Sequence, residues 1–411
     1  MYYIRQSQPR EIRPFFFPAF FAKIIGGVSL GLIYMYYYQH GDTTAYFRVA
    51  NVLNEGINDS IVTWAQLIFG DINSPDLFEY KSRMSRYTSG SELFLIRITS
   101  ILSMFSFKGY YTTVLWFASF SFLGSWFMYK TLIRWYPDLK FKLAIALFFI
   151  PSVVFWGSGL MKDSIVLGCL GFLIFGVAYF RNENKWIGLV IISTTLWLLT
   201  SIRGFMLPLL LIPAFFVFLL KFTVNVKHFA LRGLAIIIGV FLITAGTLAY
   251  FSEFSNQLMS FAREVQISSN YLYRVSLQKG GSAYSIGTVD GTIQNLVELA
   301  PSAIWVALYR PYPWEANNLV MLLTALENLT LLLGTLLILL RVGVISTIRI
   351  VISDDFLQYA IVFCIFFAFV AGISTFNFGS LARYRIPILP FFVSTLIIIM
   401  YSHKLMITNK S

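Results

Sequence analysis

Long apolar runs dominate this sequence and restrict what it can fold into. About ten of them approach the roughly 20 residues that an α-helix needs to cross a lipid bilayer. Hydrophobic residues make up 57% of the chain and charged residues only 12%, whereas a soluble domain carries about 25% charge. We therefore predict an all-α fold, a polytopic transmembrane helix bundle that forms one integral membrane domain over residues 1–411. The predicted spans cover residues 15–38, 111–133, 143–160, 164–180, 186–202, 205–220, 233–251, 318–340, 357–376 and 386–402.

The net charge of +12 does not require a nucleic-acid partner. Most basic residues fall in short connections on one side of the predicted spans, which is the positive-inside distribution. The N- and C-termini are therefore predicted to be cytoplasmic, and no nucleic acid is expected to bind. Two long segments, residues 40–110 and 252–317, then lie outside. Within them, the mixed apolar stretches 93–107, 261–278 and 293–309 predict interfacial helices that lie along the membrane surface.

Ionisable residues that are unusual in a membrane protein collect at the predicted outer face. A charge within a membrane is costly unless it has a partner, so this one-sided distribution predicts a functional site there. Arginine presents a planar fork of N–H donors that suits phosphate, and two arginines precede the last predicted span. We therefore expect an anionic, phosphate-bearing substrate. The residues concerned are Asp42, Lys162, Asp163, Arg203, Arg310, Glu315, Arg383 and Arg385.

Purely structural roles stay open for the first four residues of this set, Asp42, Lys162, Asp163 and Arg203. Lys162 and Asp163 are also typical of a polar turn between helices, in which Asp163 would cap the helix that follows. Arg203 would equally extend to the lipid interface without any further role. Asp42 would then be an ordinary loop acid.

The second half has structural alternatives of its own. Arg310 and Glu315 would pair with each other within their loop. Arg383 and Arg385 would anchor the last helix to anionic lipid headgroups. These alternatives explain each residue separately and leave the collection of charges on one face unexplained.

Glu327 is predicted to lie about 13 Å into the span 318–340, at 1.5 Å per residue. A carboxylate at that depth needs a partner, so it either pairs with Lys23 or stays neutral and forms a structural hydrogen bond. His40 adjoins Asp42 and either assists it or has no role. The sequence has no Walker loop, dinucleotide fingerprint or His-x-x-x-His motif, so no cofactor is expected. One aspartate does not support a divalent metal site either.

Three short motifs resemble bacterial polytopic glycosyltransferases of the GT-C type. His-Gly-Asp-Thr-Thr-Ala-Tyr-Phe at 40–47 follows the first span, where that family begins a long outer loop with an acidic motif. Residues 151–163 resemble its Pro-rich helix end and polar turn, and Ala-Arg-Tyr-Arg-Ile-Pro at 382–387 resembles the start of a late span in lipid-linked sugar transferases. The first loop lacks a paired acidic motif, and the outer segment 252–317 is short. In these respects the chain is also similar to membrane polymerases and ligases of surface polysaccharides.

The resemblance implies a membrane glycosyltransferase of the bacterial inner membrane. It would move a sugar from a polyprenyl phosphate or pyrophosphate donor, held among membrane lipid, to a glycan, lipid or protein acceptor in cell-surface glycan assembly. Asp42 would be the general base, and the phosphate would be bound by Arg383 and Arg385 with Arg203, Lys162 or Arg310. Supporting roles would fall to Asp163, Glu315, His40 and Glu327. The alternatives are an O-antigen-like polymerase, a lipid-linked oligosaccharide transporter or flippase, and an assembly subunit.

Overall fold

A computed structural model describes residues 1, 5–39, 41–225, 263–268, 270, 271, 273, 274 and 282–408. Over these residues the chain is helical apart from turns, loops and one isolated bridge between Ala283 and Asn377. Predicted as one membrane domain, the chain groups into two compact units, Met1–Leu207 and Pro208–Ser411. His40, the predicted span 233–251 and most of the stretch 261–278 lie outside the described residues.

Unit 1 contains ten α-helices among its described residues, and an eleventh begins at its end. The first helix continues into a π-helical turn, Ile33–Tyr37, and two short 3₁₀ turns lie at Pro75–Leu77 and Pro137–Leu139. The helices are α1 (Arg13–Leu32), α2 (Asp42–Asp59), α3 (Ile61–Phe69), α4 (Phe78–Arg83), α5 (Gly90–Met104), α6 (Tyr110–Trp135), α7 (Lys140–Phe148), α8 (Pro151–Trp156), α9 (Lys162–Asn182), α10 (Lys185–Ile202) and α11 (Met206–Asn225).

Unit 2 contains the rest of α11 and six further helices among the described residues. Asparagine and aspartate set three of their starts: the side chains of Asn318, Asp354 and Asn377 accept hydrogen bonds from backbone N–H groups three residues on. Such caps provide acceptors for the backbone N–H groups of the first turn, which have no partner within the helix. The helices are α12 (Ile293–Tyr309), α13 (Leu319–Val342), α14 (Val344–Ile352), α15 (Asp355–Thr375), α16 (Phe378–Tyr384) and α17 (Leu389–Thr408).

Six helices of the described residues are long and apolar enough to cross a membrane, which supports a helical membrane bundle. They correspond to six of the ten predicted spans and are Arg13–Tyr37, Lys162–Asn182, Lys185–Ile202, Leu319–Val342, Asp355–Thr375 and Leu389–Thr408. Helix α6, on the predicted span 111–133, has 26 residues but is not among them, since its Tyr, Trp and Ser residues lower its hydropathy. The apolar part of α11, Met206–Lys221, is shorter.

The predicted span 143–160 is wrong as one continuous helix. It consists of α7 and α8, followed by an irregular buried segment at 157–161. Pro151 explains the first break, because the residue before a proline is driven out of the helical region. Ile150 accordingly has an extended backbone, with φ −67° and ψ 121°.

Glycines let helices α6 and α9 of unit 1 pack closely against each other. A Cβ added to Gly124 would lie 2.0 Å from the carbonyl oxygen of Gly168, and one on Gly171 would lie 2.0 Å from that of Gly124. Contact of this closeness between helix backbones is typical of membrane helix pairs. Beside it, the rings of Phe16, Phe122, Trp126, Tyr129 and Phe148 form a buried aromatic core.

The Gly124 contact predicts a specific sensitivity to one added methyl group. Gly124→Ala forces α6 and α9 apart and should lower the free energy of unfolding by about 1–3 kcal/mol, the usual cost of overpacking. Gly334→Ala in α13 is the matched control, since nothing lies within 4 Å of its added Cβ. Thermal unfolding of the two purified variants in detergent measures the difference. Equal midpoints would contradict the close α6–α9 contact.

Candidate functional site

Three helices of unit 1 begin at the same place. Tyr46 of α2 lies 3.5 Å from Glu92 of α5, and Asn54, two turns further along α2, bonds Ser100 and Ser103 of α5. Helices α2 and α5 therefore run parallel, with their N-termini at one end. Helix α9 joins them there, because Lys162, its first residue, donates a hydrogen bond from Nζ to Ser91 Oγ at 2.8 Å.

We call the residues at these helix starts the polar end of unit 1. Its members carry two acidic, two basic and one hydroxyl group, and they are Asp42, Arg86, Ser91, Glu92 and Lys162. Two of them, Asp42 and Lys162, were predicted site residues, and the structure brings both to the start of a helix in this group. Helix N-termini carry partial positive charge, so three of them together with two cations favour an anion.

Asp42 is fixed in position by the residues on either side of it. Gly41 has a φ of +152°, and a Cβ added there would lie 2.2 Å from the Tyr34 ring, so only glycine fits. After Asp42, the Thr43 hydroxyl bonds the Tyr110 hydroxyl at 2.7 Å in the buried interior. The Asp42 carboxylate itself is 27% exposed and stays within reach of solvent.

Arg86 is the counter-charge of Asp42, with Nη2 3.7 Å from the carboxylate, and it is 68% exposed. It donates a hydrogen bond to the Tyr87 hydroxyl at 3.2 Å and lies against the Tyr87 ring, 5.0 Å from its centre. The Tyr87 hydrogen bond, with smaller contributions from the charges of Glu92 and Asp42, raises the pKa of Arg86. Arg86 and Glu92 were not among the predicted site residues, because only packing against α2 brings Arg86 to Asp42 and Glu92 to Tyr46.

Asp163 and Arg203 form a buried ion pair beside the polar end. The guanidinium of Arg203, at the end of α10, bonds the carboxylate of Asp163, and the two side chains are 8% and 1% exposed. This pair ties the end of α10 to the start of α9. Arg203 is therefore neutralised by a carboxylate in the structure, although it was predicted to bind phosphate.

In unit 2, Arg310 and Glu315 pair with each other, as the structural alternative predicted. Arg310 Nε lies 3.1 Å from both carboxylate oxygens of Glu315, and Nη2 donates a further hydrogen bond. Glu315 also accepts the backbone N–H of Tyr312 at 2.8 Å. The Arg310 guanidinium lies 5.2 Å from the centre of the Phe378 ring.

Arg385 lies in the interior of unit 2 and is fully buried. Its Nη1 donates to the carbonyl of Ala307 at 3.4 Å, and its Nη2 lies 3.6 Å from the Glu327 carboxylate. Among the described residues, Nε and Nη2 have no hydrogen-bond partner. Arg383, two residues earlier, is half-buried, with its guanidinium 5.5 Å from the centre of the Tyr384 ring.

Lys23 and Glu327, one alternative pair in the sequence, each have a partner within their own unit. Glu327 faces Arg385, while Lys23 is fully buried and donates hydrogen bonds to the carbonyls of Val153 and Gly157 at 3.2 and 3.3 Å. The carboxylate of Glu327 therefore lies beside a cation rather than in an apolar setting.

Among the described residues, no group of three or more His, Cys, Asp or Glu side chains could hold a metal ion. Comparison of the chain with protein-family models, with curated proteins and with solved structures found no match. The resemblance to GT-C glycosyltransferases therefore rests on its three short motifs, and the function has to be argued from the geometry of the two units.

The buried Asp163–Arg203 pair predicts a large loss of stability when one partner is removed. Arg203→Met leaves a buried carboxylate without its cation and should cost about 3–5 kcal/mol. Arg83→Met breaks the half-exposed pair with Glu55 (2.6 Å) and should cost less than about 1 kcal/mol. Denaturant or thermal unfolding compares the two. The double variant Asp163→Asn with Arg203→Met should recover part of the loss, and similar costs for the two single variants would refute the buried pair.

Proposed function

We propose that this chain is a glycosyltransferase of the bacterial inner membrane. It would transfer a sugar from a polyprenyl phosphate or pyrophosphate donor to an acceptor hydroxyl at the extracytoplasmic face. The observation that carries the proposal is the polar end of unit 1, where α2, α5 and α9 begin, Arg86 lies beside the partly exposed Asp42, and Lys162 bonds Ser91. Such a group suits an anion beside a general base.

The phosphate of the donor would interact with Lys162 and Arg86. As the bond between the sugar C1 and the phosphate oxygen breaks, its electron pair stays on that oxygen, and negative charge grows on the leaving group. Fixed positive charge directed at that position lowers the barrier. Both side chains are already oriented, Lys162 by Ser91 and Arg86 by Tyr87, so little reorganisation is needed.

Asp42 would take the proton of the acceptor hydroxyl while its oxygen bonds to C1. A general base has to be within hydrogen-bond reach of the proton that it removes, and the exposed part of the Asp42 carboxylate allows such an approach. Phosphate leaves readily, so the mechanism requires no general acid. It also uses no ATP, in keeping with a sequence that has no nucleotide-binding motif.

Within unit 2, the arginines predicted to bind phosphate form a separate set, which the proposal keeps by itself. Arg383 is half-buried, whereas Arg310 and Arg385 lie against Glu315 and Glu327. A bound phosphate would compete with those carboxylates for the guanidinium groups, which bind both anions by the same planar geometry. Asp163, Glu315 and Glu327 would then be supporting residues that hold these cations in place.

The proposal also includes about ten spans, with both termini in the cytoplasm. The excess of basic residues in the short connections on one side of the spans supports this orientation. The polar end, which follows the first span, would then face the outside, where lipid-linked sugars are used. An O-antigen-like polymerase would use the same groups, with a growing glycan as the donor or acceptor.

A transporter of lipid-linked oligosaccharides is the second candidate, and one observation favours it. The predicted span 143–160 is interrupted, with buried Lys23 at the interruption. Interrupted helices and buried ionisable residues line substrate paths in secondary transporters. Such a protein would bind the lipid-linked sugar without releasing polyprenyl phosphate.

Substitutions at the polar end test the transferase. The protein is reconstituted in nanodiscs with polyprenyl-linked sugars extracted from bacterial membranes, and release of polyprenyl phosphate or pyrophosphate is followed. Asp42→Asn should lower kcat by roughly 10²–10⁴-fold, the usual contribution of a general base. Arg86→Met and Lys162→Met should each lower kcat/KM by about 10²–10³-fold, as expected for a cation that stabilises developing charge.

Arg83→Met is the matched control, because Arg83 lies in the same outer segment and pairs with Glu55. It should keep wild-type activity, whereas Arg383→Ala tests the contribution of unit 2. Wild-type release by Asp42→Asn would refute the proposed base. Binding of the extracted lipid without release by the wild type would favour the transporter.

A further inference from the structure

Lys23 is an ionisable residue at an unusual place, in the middle of the candidate span Arg13–Tyr37. Its amine is fully buried, and its hydrogen-bond acceptors are two backbone carbonyls, those of Val153 and Gly157. Burying an amine at this depth costs free energy, which its hydrogen bonds have to offset. Val153 lies in α8, where its carbonyl also accepts the Gly157 N–H, and Gly157 is the first residue after α8.

The irregular segment 157–161 begins at Gly157 and is buried along its whole length. Its first carbonyl, that of Gly157, accepts hydrogen bonds from both Lys23 and Ser121, the latter at 2.5 Å. Helix α1 also touches the backbone directly, since a Cβ on Gly27 would lie 2.7 Å from the Ser158 carbonyl oxygen. The segment is therefore held in one conformation by side chains of α1 and α6.

The residue that follows this segment is Lys162, a cation of the polar end. Helix α9 begins at Lys162, and Ser164 Oγ donates to the carbonyl of Gly159 at 2.6 Å, which couples the first turn of α9 to the segment. A shift of the segment would thus move the amine of Lys162 relative to Ser91 and Asp42. Misplacement of a catalytic group by about 1 Å can cost 10²-fold in rate.

We infer that Lys23 is a positioning residue, whose amine fixes the segment 157–161 and through it sets the place of Lys162 at the polar end. It does not touch the substrate. The contribution to catalysis rests on the proposed function, whereas the effect on the position of Lys162 does not. The two are therefore tested by separate measurements.

The first measurement is cross-linking, which needs no activity. Ser91→Cys with Lys162→Cys provides two thiols at the α5 and α9 starts, and a short bifunctional thiol reagent joins them; Cys169 and Cys364 are buried, and single-cysteine variants control for them. Adding Lys23→Met should slow cross-linking by about tenfold or more. Lys142→Met, an exposed lysine of α7, is the matched control and should leave the rate unchanged. Equal rates in the Lys23→Met and Lys142→Met backgrounds would overturn the inference.

The second measurement is a double-mutant cycle in the release assay. Lys23→Met alone should lower kcat/KM by roughly 10–10²-fold. Combined with Lys162→Met it should cause little further loss, because it acts through that residue. Fully additive losses would overturn the positioning role. If the wild type releases no polyprenyl phosphate, the proposed function fails, and the cross-linking rates still decide the inference.

Two further variants guard against a Lys23→Met protein that does not fold. Lys23→Arg keeps N–H donors in the same place and should retain most of the cross-linking rate. Ser121→Ala removes the other hydrogen bond to the Gly157 carbonyl and should slow cross-linking in the same direction, by a smaller factor. Wild-type cross-linking in Ser121→Ala, with normal cross-linking in any folded Lys23→Met, would refute the inference.

Discussion

Every buried carbonyl of this chain needs a donor within the protein, because lipid supplies none. Continuous helices meet this requirement over the six candidate spans. Between Phe148 and Lys162 the helix is interrupted, and side chains contribute donors there: the Lys23 amine and the Ser121 hydroxyl both bond the Gly157 carbonyl, just after α8. Helices α1 and α6 therefore bring donors to the place where the helix is interrupted.

The same requirement governs the charges. Asp163 with Arg203 in unit 1, and Glu327 with Arg385 in unit 2, are pairs in which neither side chain is more than 8% exposed. Removing one partner of a buried pair lowers the free energy of unfolding by far more than the pair itself contributes. Such residues therefore have a structural reason to be kept together. The cations at the polar end differ, since Arg86 is exposed and Lys162 is only half-buried. Arg86 and Lys162 can therefore meet a substrate without first leaving a buried partner.

Much of the helical layout follows from the sequence, whereas the contact partners of the polar side chains do not. Six apolar runs of about 20 residues became helices of spanning length, because helix formation within a membrane depends mainly on local hydropathy. The break before Pro151 also had a local signal in the proline itself. The sequence left Glu327 between a pair with Lys23 and a structural hydrogen bond, since the choice of a partner depends on packing between distant residues. Arg86 and Glu92 were not predicted for the same reason: only packing against α2 brings Arg86 to Asp42 and Glu92 to Tyr46.

The hydrogen bond from Lys23 to Gly157 also has a consequence for biosynthesis. The two residues are 134 positions apart, and the lysine is made first. At about 5–20 residues per second, the ribosome needs on the order of ten seconds to deliver the carbonyl that the amine will bind. During that interval the Lys23 amine is without its final acceptors. The hydrogen bonds that join α1 to the interrupted segment therefore form only after α8 has been made.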